Sequence, residues 1–263
     1  MADLRVSFTE MMTLEARGVD SYLGRGPSYP WGGLYGGQIV AQSLVAAAAT
    51  VESMFVVHSL HAYFIRRGDA EEPIRFDVER LRNGRNFVTR AVVARQSRGA
   101  ILHMSASFQA VRAAAYIQTH PFPEVPNPDS MNDNSWSPMI ERRLVSERDG
   151  RAMAWLRIPE APPDDAVLAA AALAYLSDDL ATDAVRSEQQ SADGVGSRLW
   201  NGISLDHAIW FHQTPTGPDW QLHDFRCEGV GAPRGLARGQ LFSRRGDHLA
   251  TVAQEVLLRP ADA

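Results

Sequence analysis

The chain has 263 residues, 45% of them hydrophobic and 22% charged, enough for one large domain or two small ones around a substantial core. A net charge of −5 leaves no basic footprint for nucleic acid, and the absence of lysine removes Schiff-base chemistry. The single cysteine, Cys227, excludes an intramolecular disulfide and a multi-cysteine zinc site.

The first residues, "MADLRVSFTEMM", lack the basic-then-apolar pattern of a signal peptide, and no apolar run reaches the ~20 residues of a membrane span. A soluble, cytoplasmic protein is expected. Next, "GGQIVAQSLVAAAAT" reads as an alanine-rich helix entered through a glycine turn. Four strands are predicted after it, at Phe55–Ile65, Ile74–Leu81, Phe87–Arg95 and Ala100–Ala110. Asn83-Gly84 marks a hairpin between the second and third.

The stretch "HPFPEVPNPDSMNDNSWSP" continues neither a helix nor a central strand and reads as a linker. Beyond it, "PPDDAVLAAAALAYLSDDLATDAV" predicts a second long helix with Pro163 and Asp164 near its start. Arg186 to Arg198 reads as a polar surface loop. Strands are again predicted, at Ile203–Phe211, Gln221–Cys227, Leu236–Arg244 and His248–Leu258.

Two short matches suggest a repeat. His61-Ala-Tyr-Phe64 and His207-Ala-Ile-Trp-Phe211 are followed by strands ending in "ASFQA" and "TVAQE", which hold Gln109 and Gln254. The histidine-to-glutamine spacing is 48 positions in one and 47 in the other. A helix followed by hairpin-connected strands, twice over, predicts an α+β fold in which each half is a long helix wrapped by an antiparallel sheet. The expected boundaries are residues 1–117, a linker over 118–138, and residues 139–263.

Familiar catalytic motifs are missing. The nearest approach to G-x-S-x-G is Gly202-Ile-Ser204-Leu-Asp206, and P-loop, dinucleotide and H-E-x-x-H patterns are absent. No metal or cofactor is expected. Three polar residues stand out in apolar surroundings. Asp178 follows "AVLAAAALAYL", a helix apolar on every side, where a carboxylate either gains a raised pKa or marks the solvent end. Ser204 lies on an aromatic-rich strand whose alternation puts it on the face opposite His207. Gln254 interrupts an apolar strand, and a buried amide must find partners or hold a ligand or water.

Taken together, these residues sit in motifs that resemble the bacterial type II acyl-CoA thioesterases, which carry two hotdog domains in one polypeptide. The matching segments are "LYGGQIVAQSL", "VHSLHAYFIRRGD", "FDVERLRNGRNFVTRAVVARQ", "MSASFQ", "LAYLSDD", "SLDHAIWFH", "RGLARGQLF" and "VAQE". They span roughly residues 10 to 259. The resemblance implies a tandem double hotdog with its catalytic residues in the second domain. By motif position, Asp178, Ser204 and Gln254 match the family's aspartate, hydroxyl residue and glutamine that hold and activate a water. Asp179, directly beside Asp178, leaves two adjacent carboxylates as candidates for the base.

The implied reaction converts fatty acyl-CoA to free fatty acid and coenzyme A without a covalent intermediate. A homo-oligomer is expected, and the oxyanion donors would be unidentified backbone N–H groups. The competing reading is an acyl-CoA binding or sensing protein without turnover. A hotdog hydratase would pair its aspartate with a histidine five positions on, where this chain has Asp183.

Overall fold

The computed structural model describes residues 6–112, 115–161, 164–194, 199–213, 218–231 and 233–261. The first half runs α1 (Phe8–Met12), β1 (Glu15–Ala16), β2 (Ser21–Gly24), α2 (Gly36–Ala48), β3 (Phe55–Phe64), β4 (Ile74–Asn83), β5 (Phe87–Gln96) and β6 (Gly99–Ala110). The second runs β7 (Glu141–Arg148), β8 (Arg151–Arg157), α3 (Ala166–Leu176), α4 (Ala181–Asp193), β9 (Trp200–Ser204), β10 (Asp206–Phe211), β11 (Gln221–Gly231), β12 (Arg234–Ser243) and β13 (His248–Pro260).

The strands form one antiparallel sheet in the order β1-β2-β4-β5-β6-β3-β10-β13-β12-β11-β8-β7, with β9 also paired to β13. Its seam is β3 beside β10, where Ala208 lies opposite His61, so a single sheet runs through both halves. Helices α2 and α3 pack against each other. Their buried alanines, among them Ala41, Ala47, Ala170 and Ala174, leave room for the close approach. The start of α2 meets the end of α3, because the Tyr35 hydroxyl donates to the Tyr175 carbonyl at 3.0 Å.

The four strands expected in the first half are all present, and the second half departs from expectation in four places. The single helix expected after Pro163, itself outside the described residues, is broken. The Ser177 hydroxyl lies between the Ala174 carbonyl at 2.9 Å and His207 Nε2 at 2.8 Å, and Asp178 and Asp179 send their side chains to distant partners, so the Ser-Asp-Asp run ends α3. Arg186 to Asp193 belongs to α4 rather than a surface loop; residues 195–198 of that stretch lie outside the described residues. Ala181, Ala184, Val185 and Ser187 give α4 a buried face at helical spacing, and it is α4, not α3, that covers the second half's strands. The strand expected over Ile203–Phe211 is interrupted at Leu205, whose N–H donates to Glu255 and whose carbonyl accepts from Phe64. Strands β7 and β8 were not expected, although Asp149-Gly150 between them, both at positive φ (52° and 70°), is a hairpin signal.

The repeat read from the sequence is out of register in the sheet. His207 is buried, whereas His61 is exposed and packs edge-on against Trp210. Gln109 lies opposite Val56, far from His61, while Gln254 bonds directly to His207. Side chains alternate with period two, so the two His-Ala matches point to opposite faces of one sheet. The halves share an architecture without sharing that motif.

Segment 118–138 contains no strand, and its one regular turn is a 3₁₀ turn at Pro128–Ser130. It lies against the second half. Gln118 bonds to the Gly246 carbonyl and the His248 N–H, and Trp155 donates to the Pro126 carbonyl. Among the described residues, no helix is long and apolar enough to cross a membrane.

Candidate active site

Asp178 sits in the break after α3, 7% exposed, facing the start of α2. The Tyr35 side chain does not cap α2, so the first-turn N–H groups are open to a partner from outside the helix. Asp178 supplies one. Its Oδ2 accepts from the Gly37 N–H at 2.9 Å. Glycine is required there by space: a Cβ on Gly37 would lie 2.3 Å from the Tyr175 carbonyl oxygen, and one on Gly36 would lie 2.6 Å from Asp178 Oδ2.

The other carboxylate oxygen, Oδ1, accepts from the Ser204 hydroxyl at 3.3 Å. Ser204 in turn accepts from Gln254 Nε2 at 2.7 Å. Asp178, Ser204 and Gln254 are therefore brought together, although they come from a helix end, the end of β9 and the middle of β13. The break at Leu205 makes this possible. It cancels the alternation that separated Ser204 from His207, and both now reach the same glutamine.

Burial pushes the Asp178 carboxyl up to about 7, and the neighbouring Asp179 charge adds to the rise. The Gln254 amide, the Gly37 N–H and the Ser204 hydroxyl favour the charged form and oppose the rise, Gly37 and Ser204 through direct bonds. The positive end of the α2 dipole lies on the same side as those donors. The result is a carboxylate held in place by donors and balanced near neutrality.

Asp179 points elsewhere. It accepts from Trp136 Nε1 at 2.6 Å and pairs with Arg142 Nε at 2.8 Å. Asp183 is likewise raised to about 7 by burial, but its charged partners are Arg186 and Arg142. Cys227 packs beside the β7–β8 turn, its N–H donating to Gly150, and burial raises its thiol pKa, which disfavours a nucleophilic thiolate.

Several neighbours were missed by sequence reasoning. His207 and Ser177 extend the hydrogen-bonded chain beyond Gln254, with His207 Nε2 2.8 Å from Ser177 Oγ. The histidine lay inside a quoted motif, and only the expected face separated it from Ser204. Tyr35, Tyr175, Tyr29, Trp31 and Trp136 enclose the helix junction with rings in edge and stacked contact, Tyr35 and Tyr175 at 4.9 Å. A cavity of about 330 Å³ lies at the far end of the helix pair, lined by Leu44, Val51, Phe55, Phe108, Ala170 and Phe211. Asp178, Ser204 and Gln254 are not among its lining residues. Among the described residues, no group of three or more His, Cys, Asp or Glu side chains is arranged to hold a metal.

The architecture is a double hotdog. A hotdog-fold protein from Alicyclobacillus acidocaldarius matches it with a TM-score of 0.82 at 20% identity, covering 96% of this chain and 97% of that one, which bears on the fold alone. The family profile for the acyl-CoA thioesterase N-terminal domain matches residues 26–109, and the profile for the C-terminal domain matches residues 116–258. The chain belongs to the acyl-CoA thioesterase family. It is 30% identical to acyl-CoA thioesterase 2 of Haemophilus influenzae over 98% of this chain and 99% of the relative. Among solved structures, acyl-CoA thioesterase II TesB2 from Mycobacterium marinum matches with a TM-score of 0.83 at 34% identity, covering 97% of this chain and 98% of that one.

Proposed function

We propose that this chain hydrolyses fatty acyl-CoA to free fatty acid and coenzyme A through a water molecule activated by Asp178. The observation that carries the reading is a buried carboxylate raised to about 7 and hydrogen-bonded to Gly37 and Ser204. A base near neutrality matches the task of taking a proton from water. In the first step the water oxygen bonds to the thioester carbonyl carbon while Asp178 takes its proton. The tetrahedral intermediate then breaks its carbon–sulfur bond, and the departing thiolate takes that proton to leave as the thiol. Ser204 and Gln254 hold the water in line. The oxyanion falls to N–H groups of the first turn of α2 other than that of Gly37, which Asp178 occupies.

In the same reading, residues 1–117 and 139–263 are the two hotdog domains, each a helix wrapped by its strands, and residues 118–138 join them. The contacts of α2 with β2 to β6, and of α4 with the strands of the second half, support that division. The protein acts in the cytoplasm as a homo-oligomer, the oligomer supported by Tyr63, Phe87 and Trp210 exposed on the sheet.

The test is thiol release from short, medium and long acyl-CoAs, with mass spectrometry of the enzyme during turnover. Stoichiometric binding without thiol release would favour a sensing protein. Acyl mass on Ser204 or Cys227 would overturn the direct attack of water. Ser204→Ala is expected to lower kcat about tenfold, the ~1.5 kcal/mol at the low end for a hydrogen bond to a charged group, as suits a 3.3 Å bond. That loss is smaller than for the base itself, because the hydroxyl orients and does not take the proton.

A further inference from the structure

We propose that His207 is a positioning residue that fixes which end of the Gln254 amide faces Ser204. The proposal rests on the reading of Asp178 as the base and adds a residue that touches neither water nor substrate. A carboxamide has two ends of nearly equal shape and opposite chemistry, so a site that needs its NH₂ must also supply something that selects it.

His207 is fully buried on β10, between Gln254 on β13 and Ser177 at the end of α3. Its Nδ1 meets Gln254 Oε1. A carboxamide oxygen can only accept, so Nδ1 must carry the proton. Burial lowers the His207 pKa to about 4, which leaves the ring a single proton at neutral pH. Nε2 is then an acceptor and takes the Ser177 hydroxyl proton at 2.8 Å, in preference to the Ala174 carbonyl 2.9 Å from the same oxygen.

Each bond now has a direction. Ser177 donates to His207, His207 to Gln254, Gln254 to Ser204, and Ser204 to Asp178. Turning the amide over would reverse the middle of this chain. Its oxygen would face Ser204, which would give its proton to Gln254 and withdraw it from Asp178. The groups that act on the Asp178 carboxyl are the Gly37 N–H, Ser204, Gln254 and the Asp179 charge, with the buried phenols of Tyr35 and Tyr175 within range of its charge. Of these, the two donors Ser204 and Gln254 depend on His207.

The test has two parts. In the wild-type protein, nitrogen NMR of the imidazole should show His207 neutral with its proton on Nδ1; the opposite tautomer would overturn the proposal whatever any variant does. In kinetics, His207→Phe removes the donor while filling the space. It is expected to lower kcat by about tenfold to a hundredfold, hold KM within about twofold and move the acid limb of kcat/KM to higher pH, since Asp178 loses donors to its charged form. His207→Asn, whose amide N–H reaches the position of Nδ1, should restore most of kcat and return the limb. A folded His207→Phe enzyme with unchanged kcat and pH limb would refute the positioning role while leaving the base assignment intact. Failure of that assignment would show separately, as full activity in Asp178→Asn. If His207→Phe does not fold, Ser177→Ala removes the donor to Nε2 and should move the limb in the same direction by less. No movement in a folded Ser177→Ala enzyme would also count against the proposal.

Discussion

Asp178→Asn is expected to lower kcat by a factor of about 10² or more, the usual contribution of a general base. Asp179→Asn is expected to keep kcat within about threefold and to lose stability instead, because Arg142 gives up its 2.8 Å bond to Asp179 and keeps only Asp183 at 3.4 Å, a change that costs about 2 kcal/mol. Measuring kcat and thermal midpoint for both variants separates the two adjacent carboxylates. The reverse pattern would move the base to Asp179. The pH dependence carries the same signature. With Asp178 as the proposed base the active form is the carboxylate, so kcat/KM should fall as pH drops below about 7, the value to which burial raises Asp178. For stability the sign is opposite to that of an ion-paired aspartate. Asp178 binds its proton more tightly when folded, so its contribution weakens as pH rises from its ordinary value of 3.8 toward 7. Asp178→Asn should therefore be no less stable than wild type at pH 8.

Gly37→Ala should be nearly as damaging as loss of the base. The added Cβ would lie 2.3 Å from the Tyr175 carbonyl oxygen and 2.5 Å from a Tyr35 ring carbon, and the backbone oxygen cannot step aside alone. The start of α2 must move away from the end of α3. That stretches the 2.9 Å bond from Gly37 to Asp178 and the 3.0 Å bond from Tyr35 to Tyr175. A displacement of this kind beside the proposed base is expected to cost about 10² in kcat, and overpacking adds about 1–3 kcal/mol of lost stability. Gly229→Ala is the matched control, since nothing lies within 4 Å of its Cβ position, and it should change neither quantity. Wild-type kcat in Gly37→Ala would show that the helix junction does not set the geometry of Asp178.

Some of this was legible in the sequence and some was not. Strands β3 to β6 follow from alternation and turn residues, and α3 from its unbroken apolar run. Asp178, Ser204 and Gln254 stood out because each is polar in an apolar stretch, and their motifs tied them together. What the sequence concealed was long-range. Gly37 and Asp178 are 141 positions apart, and no local pattern signals that a helix N-terminus in one half is completed by a carboxylate from the other. The break at Leu205 was hidden for a related reason: it depends on bonds to Glu255 and Phe64, not on its own residue type. Without that break, alternation separates Ser204 from His207, and the network around Gln254 is lost from view. The polar composition of α4 disguised a helix whose buried face is only four residues.

The most direct test of the account is a single turnover in water labelled with heavy oxygen, with enzyme in excess over acyl-CoA. Direct attack by an Asp178-activated water predicts that the fatty acid from the first turnover carries the label and that the enzyme carries none. Unlabelled acid from that first turnover, with the label on the peptide containing Asp178, would mean that the carboxylate itself attacked the thioester.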